Sequence, residues 1–144
     1  MAAATMLADY ERAFLVDDHA LMLKFMSEGV RFSDPILGGK EITSKVELKK
    51  YLAQSNDVMK DVTQRIEARS VDATTGNLAL RWMHRGSNAV TGDSYSFPGC
   101  TFITVVFTKE GTPQVTEHRD FFDPSILVGQ FKAAHRYKKN QSKL

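Results

Sequence analysis

The second half of the chain is a run of long segments rich in β-branched and aromatic residues, and this run most restricts the possible folds. Four such segments are separated by short Gly-containing turns; they are Val62 to Thr74, Leu78 to Val90, Tyr95 to Lys109 and Gln114 to Asp123. This composition predicts a meander of β-hairpins. Pro98 and Gly99 interrupt the third segment. Because proline donates no backbone hydrogen bond, they predict a bulge that bends the sheet.

The first part of the chain has the apolar spacing of helices. Apolar residues recur every three or four positions from Thr5 to Val16, and again from the acidic pair Asp17 and Asp18 to Gly29. This spacing predicts two short helices, each with one buried face. His19 and His135 are expected at the surface.

A short strand and a third helix complete the prediction. Val30 to Asp34 alternates apolar and polar residues before Pro35, which predicts a strand. Ser44 and Glu47 form a capping box ahead of a third helix over roughly Lys45 to Gln54. Helices followed by a meander predict an α+β domain in which a strongly bent antiparallel sheet wraps around three N-terminal helices.

The composition predicts one globular domain. The chain has 144 residues, of which 42% are hydrophobic and 25% charged. No segment has the roughly 18 apolar residues of a membrane span, and no signal-type apolar run opens the chain, so we expect no membrane partner and a cytoplasmic location. The single cysteine, Cys100, allows neither an internal disulfide nor a thiolate metal site.

The charge is concentrated at the C-terminus. The last residues carry five basic side chains and no acid; these are Lys132, Arg136, Lys138, Lys139 and Lys143. We therefore predict a domain over 1–131 followed by a basic, flexible tail over 132–144. The rest of the chain lacks a basic stripe with interleaved aromatic residues, so we expect no nucleic acid partner.

Polar side chains fall on defined faces of two predicted strands. Trp82 and His84 share one face of their strand with Leu78 and Leu80, and a second strand carries Thr116, His118, Asp120 and Phe122 on one face. The alternation alone does not decide which face of the second strand is inside. If Asp120 points inward, a carboxylate and two imidazoles share an apolar space suited to acid–base catalysis.

The order of these motifs carries a family resemblance. Two helices, the segment Phe32-Ser33-Asp34-Pro35, a third helix and strands ending in Glu117-His118-Arg119-Asp120-Phe121-Phe122-Asp123 resemble the SnoaL-like branch of the nuclear transport factor 2-like superfamily. The resemblance covers roughly Leu7 to Phe131. It implies a cone-shaped barrel around one deep hydrophobic pocket, as in ketosteroid isomerase, limonene-epoxide hydrolase and polyketide cyclases.

The resemblance also implies site residues. Tyr10 and Asp34 stand in the context of the oxyanion-hole tyrosine and general-base aspartate of ketosteroid isomerase. Asp120 stands at the position of the catalytic aspartate of limonene-epoxide hydrolase, whose segments resemble Thr91-Gly92-Asp93-Ser94-Tyr95 and Arg119-Asp120-Phe121-Phe122-Asp123. His84 stands where relatives keep polar catalytic groups.

These residues also have plainer interpretations. Asp34 before Pro35 can simply initiate a turn, and Tyr10 and Trp82 can be core residues. His84 and Asp120 can form a structural hydrogen bond across neighbouring strands. The H-x-D spacing of His118 and Asp120 lacks a third well-placed ligand, so we predict no metal and no cofactor.

The sequence thus predicts an isomerase, cyclase or epoxide hydrolase that acts on a hydrophobic, oxygenated small molecule. Asp120 paired with His84 would be the main acid or base, Asp34 a second base and Tyr10 an oxyanion donor. The predicted substrate-binding residues are Trp82, Phe32, Val105, His118 and Phe122.

The alternative is a non-catalytic ligand carrier or dimerisation module of the same fold. A homodimer is expected, and its interface could include Arg81, Met83 and Arg85 on the outer sheet face. An open pocket with facing acids would favour the enzyme, whereas a pocket filled by side chains would favour the interaction module.

Overall fold

The computed structural model describes residues 2–143 and has the predicted α+β class. Four α-helices, a 3-10 turn and five strands follow one another; in chain order they are α1 (Ala2–Leu15), α2 (His19–Phe25), β1 (Met26–Ser33), the 3-10 turn (Pro35–Leu37), α3 (Lys45–Ser55), β2 (Met59–Val71), β3 (Leu78–Asn88), β4 (Ser94–Phe107), β5 (Pro113–Phe122) and α4 (Ser125–Gln141). Within residues 2–143, no helix has the length and apolar character needed to cross a membrane.

The sheet is open and mixed, whereas the sequence predicted an antiparallel barrel. Its strand order is β1-β5-β4-β3-β2, with β1 parallel to β5 and every other pair antiparallel. After β1 the chain crosses to the opposite edge of the sheet, where β2 begins the meander. The last strand, β5, lies beside β1 and runs parallel to it.

The α2–β1 boundary lies earlier than the periodicity predicted. The helix was expected to reach Gly29, but it ends at Phe25 and β1 begins at Met26. Met26 is buried and pairs with Val115 of β5. Strand pairing in the core has overridden a local helical pattern, as tertiary contacts commonly do.

The buried faces of α1 and α3 are those that the spacing predicted. The α1 face consists of Met6, Leu7, Tyr10, Ala13 and Phe14. In α3, the Ser44 hydroxyl accepts the backbone N–H of Glu47 at 3.2 Å, as the capping box predicts, and Leu48 and Leu52 are buried. These faces pack into one core with the inner face of the sheet.

A fourth helix occupies the segment for which the sequence predicted the end of the domain and a basic tail. Leu127 and Ala134 are buried two turns apart on one face of α4. The Asn88 side-chain amide donates to the backbone oxygen of Gln130 at 3.0 Å and to its side-chain oxygen at 3.1 Å. The basic side chains beyond Phe131 are exposed on this helix. The predicted boundary at 131 therefore falls inside a continuous helix.

The predicted bulge at Pro98 and Gly99 is absent, because β3 and β4 pair in continuous register from Leu78 to Ser87. A close contact with a side chain, and not a bulge, explains the glycine at position 99. The indole of Trp82 lies directly over it, and any β-carbon at this position would overlap the ring. The shifts in register lie elsewhere, including one in β4 between Thr104 and Val105.

We expect Gly99→Ala to lower the free energy of unfolding by about 1–3 kcal/mol, the usual cost of overpacking a core. Gly129→Ala is the matched control, since nothing lies within contact distance of a β-carbon there and alanine favours helix by up to about 1 kcal/mol. Urea denaturation of both variants measures the effects. A stability of Gly99→Ala equal to that of the wild type would contradict the close contact with Trp82.

Candidate functional site

A cavity of about 360 Å³ lies between the helices and the inner face of the sheet. Most of its lining consists of apolar side chains from the four helices and the sheet, including Phe14, Met22, Phe97, Leu127 and Phe131. All the predicted site residues line it except Tyr10 and Val105; those that do are Asp120, His84, Asp34, Trp82, Phe32, His118 and Phe122. Val105 is buried in the core instead, so its predicted place in the pocket wall is wrong.

Asp120 is fixed in the cavity wall through one of its two carboxyl oxygens. Its Oδ1 accepts the hydroxyl of Thr101 at 2.5 Å and lies 2.9 Å from Nε2 of His118. The Trp82 indole N–H in turn donates to the Thr101 oxygen at 2.8 Å. Within residues 2–143 no group bonds the second oxygen, Oδ2. The Asp120 side chain is 15% exposed, so this oxygen is available to a molecule in the cavity.

The contact with Tyr10 bears on which nitrogen of His118 carries hydrogen. The Tyr10 hydroxyl is fully buried and lies 2.7 Å from Nδ1 of His118. Burial, and secondarily the charge of Asp120, hold the pKa of Tyr10 well above its ordinary value, so the phenol keeps its proton. It donates that proton to Nδ1, which leaves the histidine hydrogen on Nε2, facing the Asp120 carboxylate.

The oxyanion role predicted for Tyr10 is therefore not supported. Its hydroxyl is engaged with His118 and lies behind the cavity wall. Through His118 it orients the carboxylate of Asp120. His118 itself has both ring nitrogens occupied and is stacked on Phe32, with ring centroids 5.2 Å apart.

His84 lines the cavity but does not pair with Asp120 as the sequence predicted. β4 lies between β3 and β5, so the two residues are on strands separated by roughly 9.5 Å. His84 instead bonds the hydroxyl of Tyr95 at 3.3 Å and stacks on Phe97 at 4.6 Å. Burial lowers the pKa of His84 to about 4, against the opposing effects of Asp17 and Asp120. The imidazole is neutral near neutral pH.

Asp34 lines the cavity with both of its oxygens engaged. Its Oδ1 accepts the backbone N–H groups of Ile36 at 2.8 Å and Leu37 at 3.2 Å. Its Oδ2 accepts the hydroxyl of Tyr51 at 2.6 Å. Burial raises the pKa of Asp34, and Asp120 adds to the rise, although the three hydrogen bonds oppose it. The hydrogen bonds of Asp34 are therefore those of a turn residue. Neither of its oxygens is free to act as a second base.

The cavity also contains polar residues that the sequence analysis missed. His19, expected at the surface, lines the cavity, and its Nε2 lies 2.8 Å from Oδ1 of Asp17. Tyr51 follows Leu48 by three positions, so the α3 period could have identified it. No comparable signal marked His19, because its position depends on how the chain turns between α1 and α2. Within residues 2–143, no group of three or more His, Cys, Asp or Glu side chains is arranged to hold a metal ion.

Comparisons with known proteins agree with this architecture. The family model of the SnoaL-like domain matches residues 7–118. A search among curated proteins finds no match. The matched region includes Tyr10, Asp34, His84 and His118, and it ends two residues before Asp120.

Solved structures of similar fold cover most of the chain. A proposed polyketide cyclase from Xanthomonas campestris is 19% identical, covers 90% of this chain and 96% of its own, and has a TM-score of 0.69. A proposed hydroxylase from Streptomyces galilaeus is 17% identical over 90% and 96%, with a TM-score of 0.68. A hypothetical protein of ketosteroid isomerase-like fold from Catenulispora acidiphila is 12% identical over 87% and 90%, with a TM-score of 0.66. At these identities the likeness shows the fold.

We expect the buried neutral His84 to make stability depend on pH. Its pKa is about 4 when folded and 6.5 in the ordinary state, so its contribution is complete above pH 6.5 and is lost as the pH falls toward 4. The loss is about 3 kcal/mol, at about 1.4 kcal/mol per pKa unit.

His84→Phe keeps a ring against Phe97 and should remove this part of the pH dependence. Urea denaturation of wild type and variant between about pH 7 and about pH 4 measures the difference. Asp34 titrates in both proteins, so subtracting the two profiles isolates His84. Parallel profiles would contradict the burial of a neutral imidazole.

Proposed function

Because the chain belongs to the SnoaL-like branch of the nuclear transport factor 2-like superfamily, we propose that its cavity binds a hydrophobic, oxygenated small molecule and catalyses proton transfer on it. Asp120 is the base. Proposed polyketide cyclases among the structural relatives support a ring-forming reaction. The reaction as proposed needs proton transfer alone.

The free Oδ2 of Asp120 is the observation that carries this proposal. A carboxylate held through one oxygen keeps a defined direction for the other, and this preorganisation is what a general base needs. The bonds from Thr101 and His118 hold the carboxyl group in one orientation. Thr101, His118 and Tyr10 are therefore positioning residues, and Asp120 is the group that meets the substrate.

The chemistry that fits one free carboxylate in an apolar cavity is removal of a proton from carbon next to a carbonyl. Oδ2 takes the proton, and the electron pair of the C–H bond moves into an enolate. Return of the proton to another carbon gives isomerisation. Attack of the enolate carbon on a second carbonyl gives cyclisation, and the alkoxide formed then takes the proton back from Oδ2. Epoxide opening also needs an acid at the epoxide oxygen. Asp34 and Tyr51 are bonded to each other, so this third reaction has less support.

We expect Asp120→Asn to reduce proton abstraction by at least about 10²-fold while leaving the fold intact, as for the loss of a positioned base. The assay is deuterium incorporation from D₂O at the carbons next to the carbonyl of 2-tetralone, a bicyclic ketone, followed by NMR. This assay needs no knowledge of the natural product.

Asp57→Asn is the matched control, since Asp57 is an exposed aspartate outside the cavity. Circular dichroism verifies the fold of both variants. Exchange at the wild-type rate in Asp120→Asn would overturn the assignment of the base. Failure of the wild type to accelerate exchange in 2-tetralone would contradict ketone enolisation as the reaction.

An assembly role is the second candidate, and one surface feature favours it. Phe102 and Phe121 are 53% and 52% exposed on the outer face of the sheet, in edge-to-face contact at 5.7 Å. Arg81 of β3 lies opposite Cys100 of β4, and Cys100 lies opposite Phe121 of β5. Arg81, a predicted interface residue, is therefore on the same face of the sheet as Phe121. A second copy of the chain would bury this apolar patch.

We expect light scattering to give twice the chain mass of 16.1 kDa. Phe102→Lys should shift the mass toward the monomer, because it places a charge in the proposed interface. Val46→Lys is the control, since Val46 is an exposed apolar residue on α3, and it should leave the mass unchanged. A monomeric wild type would contradict the homodimer.

A further inference from the structure

The turn between α1 and α2 has a backbone conformation that usually selects glycine. Asp17 has φ +57°, and it follows α1 in the position where a left-handed residue ends a helix. The N–H of Asp17 donates to the oxygen of Phe14 at 3.3 Å, and that of Asp18 to the oxygen of Ala13 at 2.8 Å. These two bonds define a Schellman motif, in which glycine carries no steric penalty and aspartate does.

The Asp17 carboxylate acts inside the cavity. Its Oδ1 lies 2.8 Å from Nε2 of His19, and both side chains line the cavity, with 22% and 15% of their surfaces exposed. A carboxylate only accepts hydrogen bonds, so Nε2 of His19 carries the hydrogen of this contact. Nδ1, the other ring nitrogen, is left for a second hydrogen bond. Within residues 2–143 no group bonds Nδ1.

The Asp17–His19 pair and Asp120 line the same cavity but have separate hydrogen-bond partners. Both acids oppose the lowering of the pKa of His84, which lines the cavity with them. The pair is therefore a second polar group in this cavity, distinct from Asp120.

We propose that the Asp17–His19 pair is a second polar subsite of the cavity, which binds a hydroxyl group of the substrate through Nδ1 of His19. The proposal rests on the proposed function and deepens it. The substrate class becomes a hydroxyketone, with its acidic C–H bond at Asp120 and a phenol or alcohol at His19. His19 contacts the hydroxyl group, and Asp17 is a positioning residue that fixes the imidazole tautomer.

The test compares two probes that differ by one hydroxyl group, 2-tetralone and 6-hydroxy-2-tetralone. Titration calorimetry of the wild type should show about three- to tenfold tighter binding of the hydroxylated probe, the usual net effect of one hydrogen bond. His19→Leu, of similar volume, should lose this preference. The double variant Asp17→Gly/His19→Leu removes both acceptors and should show no preference at all.

Asp17→Gly alone separates binding from folding. Glycine relieves the left-handed conformation, so the melting temperature should rise by about 2–4 °C while the hydroxyl preference falls. A purely structural role for Asp17 predicts no change in the preference. Asp18→Ala is the matched control: Asp18 is exposed and caps α2 by accepting the N–H of Leu21 at 3.0 Å. It should lower the melting temperature and leave the preference unchanged.

The outcomes distinguish this inference from the proposed function. Deuterium exchange in 2-tetralone requires Asp120 and is measured separately from the hydroxyl preference. If exchange depends on Asp120 but the wild type shows no hydroxyl preference, or the double variant retains it, the subsite is overturned and the base stands. If the preference depends on His19 but exchange is never accelerated, the subsite stands and the proton-transfer function is overturned.

Discussion

A hydrogen-bond chain runs through the interior from the indole of Trp82 on β3 to the phenol of Tyr10 on α1, and the site depends on it. Thr101, Asp120 and His118 are its intermediate members. Buried polar groups are costly unless they are paired, so each member requires the next. The chain ties three strands to the first helix. Its only carboxylate, that of Asp120, lines the cavity and has both of these bonds on Oδ1.

The two acids of the cavity show why bonding matters more than proximity. Asp34 and Asp120 both line the cavity and influence each other electrostatically. In Asp34 one oxygen accepts backbone N–H groups of its turn and the other accepts the hydroxyl of Tyr51. In Asp120 both hydrogen bonds are accepted by Oδ1. A carboxylate can take a proton only through an accessible lone pair. The same residue type therefore has a structural task at one position and a chemical one at the other.

Local patterns predicted much of the fold and the membership of the site, but few of its partners. Alternation along the strands placed Trp82 and His84 on one face and His118, Asp120 and Phe122 on another, and these residues do line one cavity. The pairing of His84 with Asp120 required the strand order, which alternation does not contain, and β4 proved to lie between their strands. Gly99 illustrates the same limit. Its cause is the ring of Trp82, seventeen residues away in sequence, so a rule for local bends misread it as a bulge.

The two polar groups of the cavity combine an imidazole and a carboxylate in opposite order. At Asp120 an imidazole supports a carboxylate: His118 has both ring nitrogens engaged, and the carboxylate has the free atom. At His19 a carboxylate supports an imidazole, and the ring has the free atom. A free carboxylate oxygen suits removal of a proton from carbon, whereas an imidazole nitrogen held in a fixed orientation suits a hydroxyl group. The backbone strain at Asp17 has a physical reason on this basis, because glycine would satisfy the turn but would leave the tautomer of His19 undefined.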